Sequence, residues 1–412
     1  MSLFHGDAHR SGEWQAIALA GMILLMTMGV RQTVGLFVHP IIGATGMSVV
    51  DVSLALAVGQ LAWGVFQPLF GAWADKRGAF PVLAVGACCM TFGQILTIWA
   101  NDPLLLMLAQ GIFSPAGAAA GSFSVLIGIV ATRLSPDKRS LASGLINAGG
   151  SVGQFAFAPL VQGVMHLRGY TASLLMLAAV ALATIVPARF LCGRSTKAVR
   201  QTEPTILQTE DVAHGLRDQL RLALRNPSYL LLHSGFFTCG FHVAFLTTHL
   251  PGEVSLCGHA ASVSAASLSL IGLCNIAGSI GAGWLGNYFR MKTILVALYG
   301  SRALMIAIYL AAPKTEATFY IFAAATGFTW LATVPPTAGI VGKLFGMRYL
   351  ATLFGLTLLT HQVGGFLGAW LGGVAMEQSG SLLWVWYIDV ALAAFAACVN
   401  VPIKERSLRE SS

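Results

Sequence analysis

The chain has 412 residues, of which 56% are hydrophobic and only 10% are charged. Soluble domains carry about 25% charged residues, so this composition excludes an ordinary soluble protein and indicates a polytopic membrane protein. The net charge of +8 does not indicate nucleic-acid binding, because the basic residues fall almost entirely on one side of the predicted spans. We therefore expect a lipid bilayer, and no nucleic acid, among its partners.

Polar, glycine and proline breaks divide the chain into twelve apolar segments, each close to the roughly 20 residues that a helix needs to cross a bilayer. None of them alternates with the period of a strand, so helices rather than a barrel are expected to satisfy the backbone in lipid. Numbered in chain order, the predicted spans are 14–38, 49–70, 80–100, 103–131, 141–165, 171–192, 228–250, 261–284, 293–312, 317–341, 350–376 and 381–402.

A charged loop after span 2 has a counterpart after span 8. Gly71–Gly78 (GAWADKRG) lies between two apolar runs, and so does the related stretch Gly283–Arg290 (GWLGNYFR). Two copies of one loop imply two copies of one bundle, so we predict an all-α fold with two pseudo-symmetric six-helix bundles. The predicted parts are an N-terminus at 1–13, bundles at 14–192 and 228–402, a linker at 193–227 and a C-terminus at 403–412.

Lysine and arginine residues are distributed unequally between the two sides of the predicted spans. Of the 24, twenty fall on one side of the twelve-span arrangement, two (Arg168 and Lys314) on the other, and two (Arg31 and Arg302) inside spans. The positive-inside rule then places both termini and the linker in the cytoplasm.

The end of the linker predicts a short amphipathic helix. Leu216, Leu220 and Leu224 form one stripe along it, and arginines lie beside that stripe: Arg217, Arg221 and Arg225. Such a helix suits the inner membrane surface, with a binding partner as the alternative.

Charged and strongly polar side chains inside a span are costly in lipid and mark functional candidates. Arg31 lies near the middle of span 1, and Gln60, Trp63 and Gln67 share one face of span 2. Further polar candidates occur in spans 5, 7, 10 and 11: Asn147, Gln154, His242, Thr329, His361 and Gln362.

Spans 9, 10 and 12 carry two further features. Pro335 and Pro336 lie inside span 10 and predict a break in its helix. Arg302 in span 9 and Asp389 in span 12 lie at depths that differ by roughly 6 Å, at 1.5 Å per residue. We predict that they form an intramembrane ion pair, with proton or substrate handling as the alternative.

Twelve spans, a central cytoplasmic loop and the repeated charged loops resemble the major facilitator superfamily, whose signature between spans 2 and 3 is G-x-x-x-D-(R/K)-x-G. The informative places of that signature hold Gly71, Asp75, Lys76, Arg77 and Gly78. The resemblance implies two halves that rock to alternate access, with spans 1, 4, 7 and 10 lining the central cavity. It also implies gating contacts by Gly71, Asp75, Arg77 and Gly78, unless these residues serve only to set topology.

Finer motifs resemble the bacterial monocarboxylate-porter-like branch, which is similar to monocarboxylate transporters and oxalate–formate exchangers. They are Gly29-Val-Arg31-x-x-x-Gly35, the run Gly144–Gln154, Pro335-Pro336-Thr337 and His361-Gln362-x-Gly-Gly-Phe-Leu-Gly368. Asn275 and Ser279 stand where animal monocarboxylate transporters carry Asp and Arg, which departs from a lactate-type mechanism. Gln110 stands where drug–proton antiporters commonly carry arginine, which departs from the drug-antiporter pattern.

The cavity spans carry one fixed positive charge, Arg31, together with histidines and no Asp or Glu. Such a lining suits an anion rather than a cation. We therefore predict a secondary transporter of the bacterial inner membrane that moves a small organic anion, in particular a carboxylate, coupled to protons or by exchange. Arg31 would hold the substrate beside the six polar candidates, and a histidine or the substrate's own carboxylate would carry the proton.

The alternative is an exporter of a larger metabolite, drug or siderophore with an aromatic cavity that includes Trp63 and Trp330. The sequence contains no evident nucleophile constellation, metal cluster or large soluble domain, so we expect neither an enzyme nor a bound cofactor or metal. We expect a monomer, and we expect the seven cysteines, which lack paired spacing, to act as apolar filler.

Overall fold

The computed structural model describes residues 3–131, 134, 138–193, 216–346 and 349–405. In this part of the chain the regular structure is helical throughout. Ten helices are long and apolar enough to cross a membrane, and one of them, Leu141–Gly193, has 53 residues. At 1.5 Å per residue this helix would extend about 80 Å, more than twice the hydrocarbon core. Gly169 divides it, because its φ of 81° is not helical.

Dividing this helix at Gly169 raises the number of spans from ten to eleven, and the 30-residue helix of span 11 is the twelfth. The twelve predicted spans are therefore all present as helices. The uninterrupted spans 2, 3, 7, 8, 9, 11 and 12 are Val49–Arg77, Ala79–Thr97, Pro227–Leu256, Ala261–Leu285, Met291–Ala311, Leu350–Ser379 and Leu383–Asn400. Spans 5 and 6 share Arg139–Ala183 and continue as Ile185–Gly193.

Spans 1, 4 and 10 are interrupted. Span 1 consists of Leu3–Gln32, the 3₁₀ turn Val34–Phe37 and Val38–Thr45. Span 4 consists of Pro103–Leu106, a π-helical stretch Met107–Phe113, Ser114–Ala120 and Phe123–Ala131. Span 10 consists of Glu316–Thr329 and Val334–Phe345. The break in span 10 confirms the prediction from the two prolines.

The prolines explain where span 10 breaks. Pro335 and Pro336 follow Val334, the first residue of the second helical piece, and in this first turn the missing N–H groups cost nothing. Extending the helix backwards would require both prolines to donate to carbonyls four residues earlier, which they cannot do. The four residues from Trp330 to Thr333 therefore leave the helix.

Two pairs of spans join the N-terminal half (residues 12–193) to the C-terminal half (residues 216–405). Span 2 packs along span 11, and span 5 packs along span 8. Glycine permits a close approach of the two halves at each face. A side chain on Gly35 would overlap the backbone of Thr247, toward the predicted external face, and one on Gly144 would press on the backbone of Ser279, toward the predicted cytoplasmic face. The halves therefore touch at both faces, and the molecule is closed.

Two ion pairs connect the ends of spans at the predicted cytoplasmic face. Lys138 lies 2.7 Å from Glu13, which joins the start of span 5 to span 1. Lys343 at the end of span 10 lies 2.9 Å from Glu405 beyond span 12. The predicted amphipathic helix is present at Leu216–Ala223, and the rest of the predicted linker between 194 and 215 lies outside the described residues.

Candidate functional site

The broken backbone of span 10 is the most heavily bonded polar feature of the described interior. The first helical piece ends at Thr329, and a helix end carries unpaired carbonyls and partial negative charge. Arg302, which is fully buried, donates from Nη2 to the carbonyls of Thr329 and Trp330, the latter at 3.0 Å. The guanidinium therefore caps the break with both hydrogen bonds and positive charge.

Two asparagines bind the backbone of Leu331, the next residue of the break. Asn275 on span 8 accepts from the N–H of Leu331 at 3.0 Å, and Asn147 on span 5 donates to its carbonyl at 3.1 Å. Asn147 also donates to Ser279 at 2.9 Å, and Asn275 donates to Ser151 at 2.7 Å. This network of buried side chains joins spans 5, 8 and 10 across the contact between the halves.

The network predicts that Asn147 and Asn275 stabilise the closed molecule together. Asn147→Ala and Asn275→Ala should each lower the thermal unfolding midpoint, and the double variant should lose less than the sum. The coupling free energy is expected to be about 1–2 kcal/mol, because both side chains bind the backbone of one residue, Leu331. A double-mutant cycle of unfolding in detergent measures it. Gln162→Ala, on span 5 but without a hydrogen bond to this network among the described residues, should combine additively with Asn275→Ala. Additivity of the two asparagine variants would contradict the prediction.

The predicted ion pair between Arg302 and Asp389 is wrong for this structure. Asp389 instead pairs with His242 on span 7, with 2.6 Å between Oδ2 and Nδ1, and both side chains are fully buried. Arg302 is drawn to span 10 because the break there leaves free carbonyls. The pairing was predicted from depth along the bilayer, which could not show toward which neighbouring helix each side chain points.

Arg31 lies in the N-terminal half, in the last turn of the first helix of span 1. Its Nη2 donates to Oε1 of Gln60, and its guanidinium carbon lies 4.0 Å from the ring centroid of Trp63. The indole Nε1 of Trp63 is buried and has no hydrogen-bonding partner in the described part of the chain. Two residues of the polar face predicted for span 2, Gln60 and Trp63, thus contact the arginine of span 1. The third, Gln67, instead accepts from Ser124 of span 4 at 2.9 Å.

An enclosed cavity of about 30 Å³ adjoins Arg31. Among the lining side chains are three glutamines, Gln60, Gln94 and Gln110, and no Asp or Glu is present in the lining. Gln94 donates to Ser114 at 2.9 Å, and Gln110 donates to Thr97 at 2.8 Å. The site is therefore rich in hydrogen-bond donors around one fixed positive charge.

The other predicted substrate-binding residues do not line this cavity. Gln154 is buried beside Gly272 of span 8, and its Nε2 has no partner among the described residues. His361 accepts from Gln362 at 2.7 Å and packs on Phe236, with ring centroids 4.7 Å apart. The seven candidates are spread over three places: the cavity at Arg31, the contact of spans 5 and 8 at Asn147 and Gln154, and the C-terminal half at His242, Thr329, His361 and Gln362.

The residues predicted to gate lie where span 2 turns into span 3. The helix of span 2 ends at Arg77, and Gly78 makes the turn with a φ of 88°, a conformation that favours glycine. Arg77 is exposed, and a side chain on Gly71 would meet open space. The side chain of Asp75 lies outside the described residues, so the gating role of these four residues stays a prediction.

Sequence reasoning gave no binding role to Gln94, Gln110 and Asn275. Gln110 and Asn275 were noticed only as departures from a family pattern, and Gln94 not at all. The available signal was the same for each of them: an amide side chain inside an apolar helix, which needs a buried partner. No group of three or more metal-ligating His, Cys, Asp or Glu side chains occurs among the described residues.

Interrupted spans, paired halves and polar sites buried in apolar helices define a multi-pass membrane transporter. The profile of the Major Facilitator Superfamily matches residues 17–369, and the chain belongs to this superfamily. It is 26% identical over 381 residues to monocarboxylate transporter 13 of Rattus norvegicus, covering 89% of this chain and 83% of the relative. It is 25% identical over 382 residues to the oxalate:formate antiporter of Oxalobacter formigenes, covering 89% and 86%.

Proposed function

We propose that the protein is a secondary transporter for a small organic anion, in particular a carboxylate, in a bacterial inner membrane with both termini in the cytoplasm. One observation carries the proposal: the fixed charge of Arg31 adjoins a cavity whose lining includes three glutamines and no Asp or Glu. Trp63, outside that lining, packs under the guanidinium and has an indole N–H without a partner among the described residues. A carboxylate accepts hydrogen bonds at both oxygens and pairs well with a guanidinium. The names of the two relatives, a monocarboxylate transporter and an oxalate:formate antiporter, support the same substrate class.

Alternating access follows from the contacts at the two faces. Gly35 touches Thr247 at one face, and Gly144 touches Ser279 at the other. A cavity of about 30 Å³ has room for about one water molecule, so a carboxylate can enter only after the halves separate. Separation at one face while the other stays closed is the transport cycle of this superfamily, driven by protons or by exchange.

The alternative, an exporter with a wide aromatic cavity, has little support in the closed structure. Trp330 is fully buried, and His242 packs against its ring with centroids 5.6 Å apart. Trp63 lies under Arg31 at 4.0 Å, where it orients a cation. Neither indole faces a large space in the described interior.

The substrate class is tested by thermal unfolding of purified protein with oxalate, formate, L-lactate, organic cations and neutral metabolites. A ligand that binds the folded state raises the unfolding midpoint by mass action. We expect a carboxylate to raise it, and Arg31→Gln to abolish this shift and lower uptake at least about tenfold, since a charge-assisted hydrogen bond contributes about 1.5–3 kcal/mol.

Two variants control this test. Arg168→Gln removes an exposed arginine from the same half and should leave the shift unchanged. Arg31→Lys keeps the charge but loses the planar stacking on Trp63, and should bind more weakly than wild type. Uptake retained in well-expressed Arg31→Gln, or stabilisation only by bulky cationic or neutral compounds, would contradict the proposal.

A further inference from the structure

The pair His242–Asp389 is a buried acid–base unit with an unused atom on each member. Nδ1 of His242 and Oδ2 of Asp389 are 2.6 Å apart, and both side chains are fully buried. Nε2 of His242 and Oδ1 of Asp389 have no hydrogen-bonding partner in the described part of the protein. Each open atom is one at which a proton can be added or a hydrogen bond accepted.

We propose that this pair binds the proton that drives transport, an inference that rests on the proposed function. With Asp389 ionised, His242 donates Nδ1–H to it and keeps a lone pair on Nε2. A hydronium ion gives its proton to this lone pair, so one N–H bond forms, water leaves, and the pair changes from a net charge of −1 to zero. Release at the other face reverses the step. Histidine is the side chain suited to such cycling near neutral pH.

Cys239 lies three residues before His242 on span 7. The charged and titratable side chains that spans 9 and 11 place around Cys239 are Tyr299, Arg302 and His361. Span 10 contacts span 7 here through uncharged residues, as shown by the 3.3 Å contact of Thr333 with Cys239. Spans 1 and 2 meet span 7 further along, at Thr247 and Ala244. With Arg302 counted, the group is neutral before proton uptake and carries one positive charge after it, which favours an anion in the same molecule.

The pair acts directly on the break in span 10. The ring of His242 packs on the ring of Trp330, and the carbonyl of Trp330 accepts from Arg302 at 3.0 Å. A change of one unit of charge on the pair therefore falls beside the least regular backbone of the C-terminal half. Such a break, with its bonds to spans 5, 8 and 9, is an element that can change arrangement when a charge beside it changes.

Span 7 also links the pair to the anion site. Thr247, five residues beyond His242, meets Gly35, and Gly35 follows Arg31 by four residues on span 1. Proton and anion are therefore bound in different halves and are coupled through the contact that closes one face. Coupling of this kind is a difference of free energy between states and needs no direct contact between the two ligands.

Reconstituted wild-type protein tests the inference with radiolabelled oxalate, formate and L-lactate. Counterflow reports anion exchange without net proton movement, and uptake driven by an inward proton gradient reports coupling. Asp389→Asn and His242→Gln should lower driven uptake at least about tenfold while counterflow stays within about twofold. His249→Gln is the matched control, because His249 is also buried on span 7 but its ring bonds to a backbone carbonyl, that of Ala369 at 2.7 Å, rather than to a carboxylate. It should keep both activities.

The outcomes separate this inference from the proposed function. Absence of wild-type counterflow with every probe would overturn the proposed function and the proton site with it. Wild-type counterflow without proton-driven uptake, or driven uptake retained in both variants, would overturn the proton site alone. Should both variants lose counterflow, Asp389→Glu decides: a displaced pH dependence of driven uptake supports the site, and an unchanged one overturns it.

Discussion

Gly35→Val is expected to abolish transport while leaving the protein folded and able to bind its anion. A side chain at position 35 would overlap the backbone carbonyl of Thr247, and no rotamer change can move a carbonyl out of the way. Closing the predicted external face would then cost more than roughly 3 kcal/mol, the upper end of the usual cost of overpacking. Because each transport cycle requires this closure, turnover should fall at least about 100-fold. The face should remain open, because separation of spans 1 and 7 relieves the overlap.

Two measurements check this expectation. Uptake and counterflow in proteoliposomes should both be lost, and a cysteine introduced near Thr247 should become more reactive toward a membrane-impermeant thiol reagent. Gly43→Val is the matched control, since position 43 is exposed, lies on the same span and has open space around it. Normal transport by Gly35→Val would show that the contact of Gly35 with Thr247 is not part of the cycle.

Arg302→Leu is expected to cause a large loss of stability. It leaves the carbonyls of Thr329 and Trp330 without their donor, and each unsatisfied buried group costs about 1–3 kcal/mol. It also removes the positive charge that faces the negative end of the first helical piece of span 10. Removing the buried charge offsets part of this cost, so we expect a net loss of about 2–4 kcal/mol.

Thermal unfolding in detergent measures this loss, at roughly 2–4 °C per kcal/mol for a domain of this size. Arg302→Lys keeps a charged donor and should recover part of the stability. Arg290→Leu removes an exposed arginine beside span 9 and should change stability by no more than about 0.5 kcal/mol. An unfolding midpoint of Arg302→Leu equal to that of wild type would mean that the break satisfies its carbonyls by other means.

Local chemistry was predicted well wherever one residue type decided the outcome. Two adjacent prolines cannot extend a helix backwards, so the break in span 10 could be read directly from Pro335 and Pro336. The glycines of span 1 are different. Gly35 was recognised only as part of a motif, because a sequence does not show that another backbone lies where a side chain would be.

Pairings between distant residues could not be predicted in the same way. Asp389 was matched with Arg302 because the two charges lie at similar depth, but the structure pairs it with His242. The guanidinium goes instead to carbonyls that exist only because span 10 is broken. Which partner a buried charged side chain binds depends on the rotation of each helix about its axis, and packing determines that rotation.

The sequence by itself determined the class of the protein. A chain with 56% hydrophobic and 10% charged residues, cut into segments of membrane length, can satisfy its backbone in lipid only as helices. Only the tertiary structure decided which polar side chains meet: Arg31 with Gln60 and Trp63, and His242 with Asp389. The physical reason is that these helices are apolar on nearly all sides, so apolar burial alone does not set the rotation of each helix about its axis. That orientation comes from close contacts of glycine and from buried hydrogen bonds that form between spans far apart in the chain.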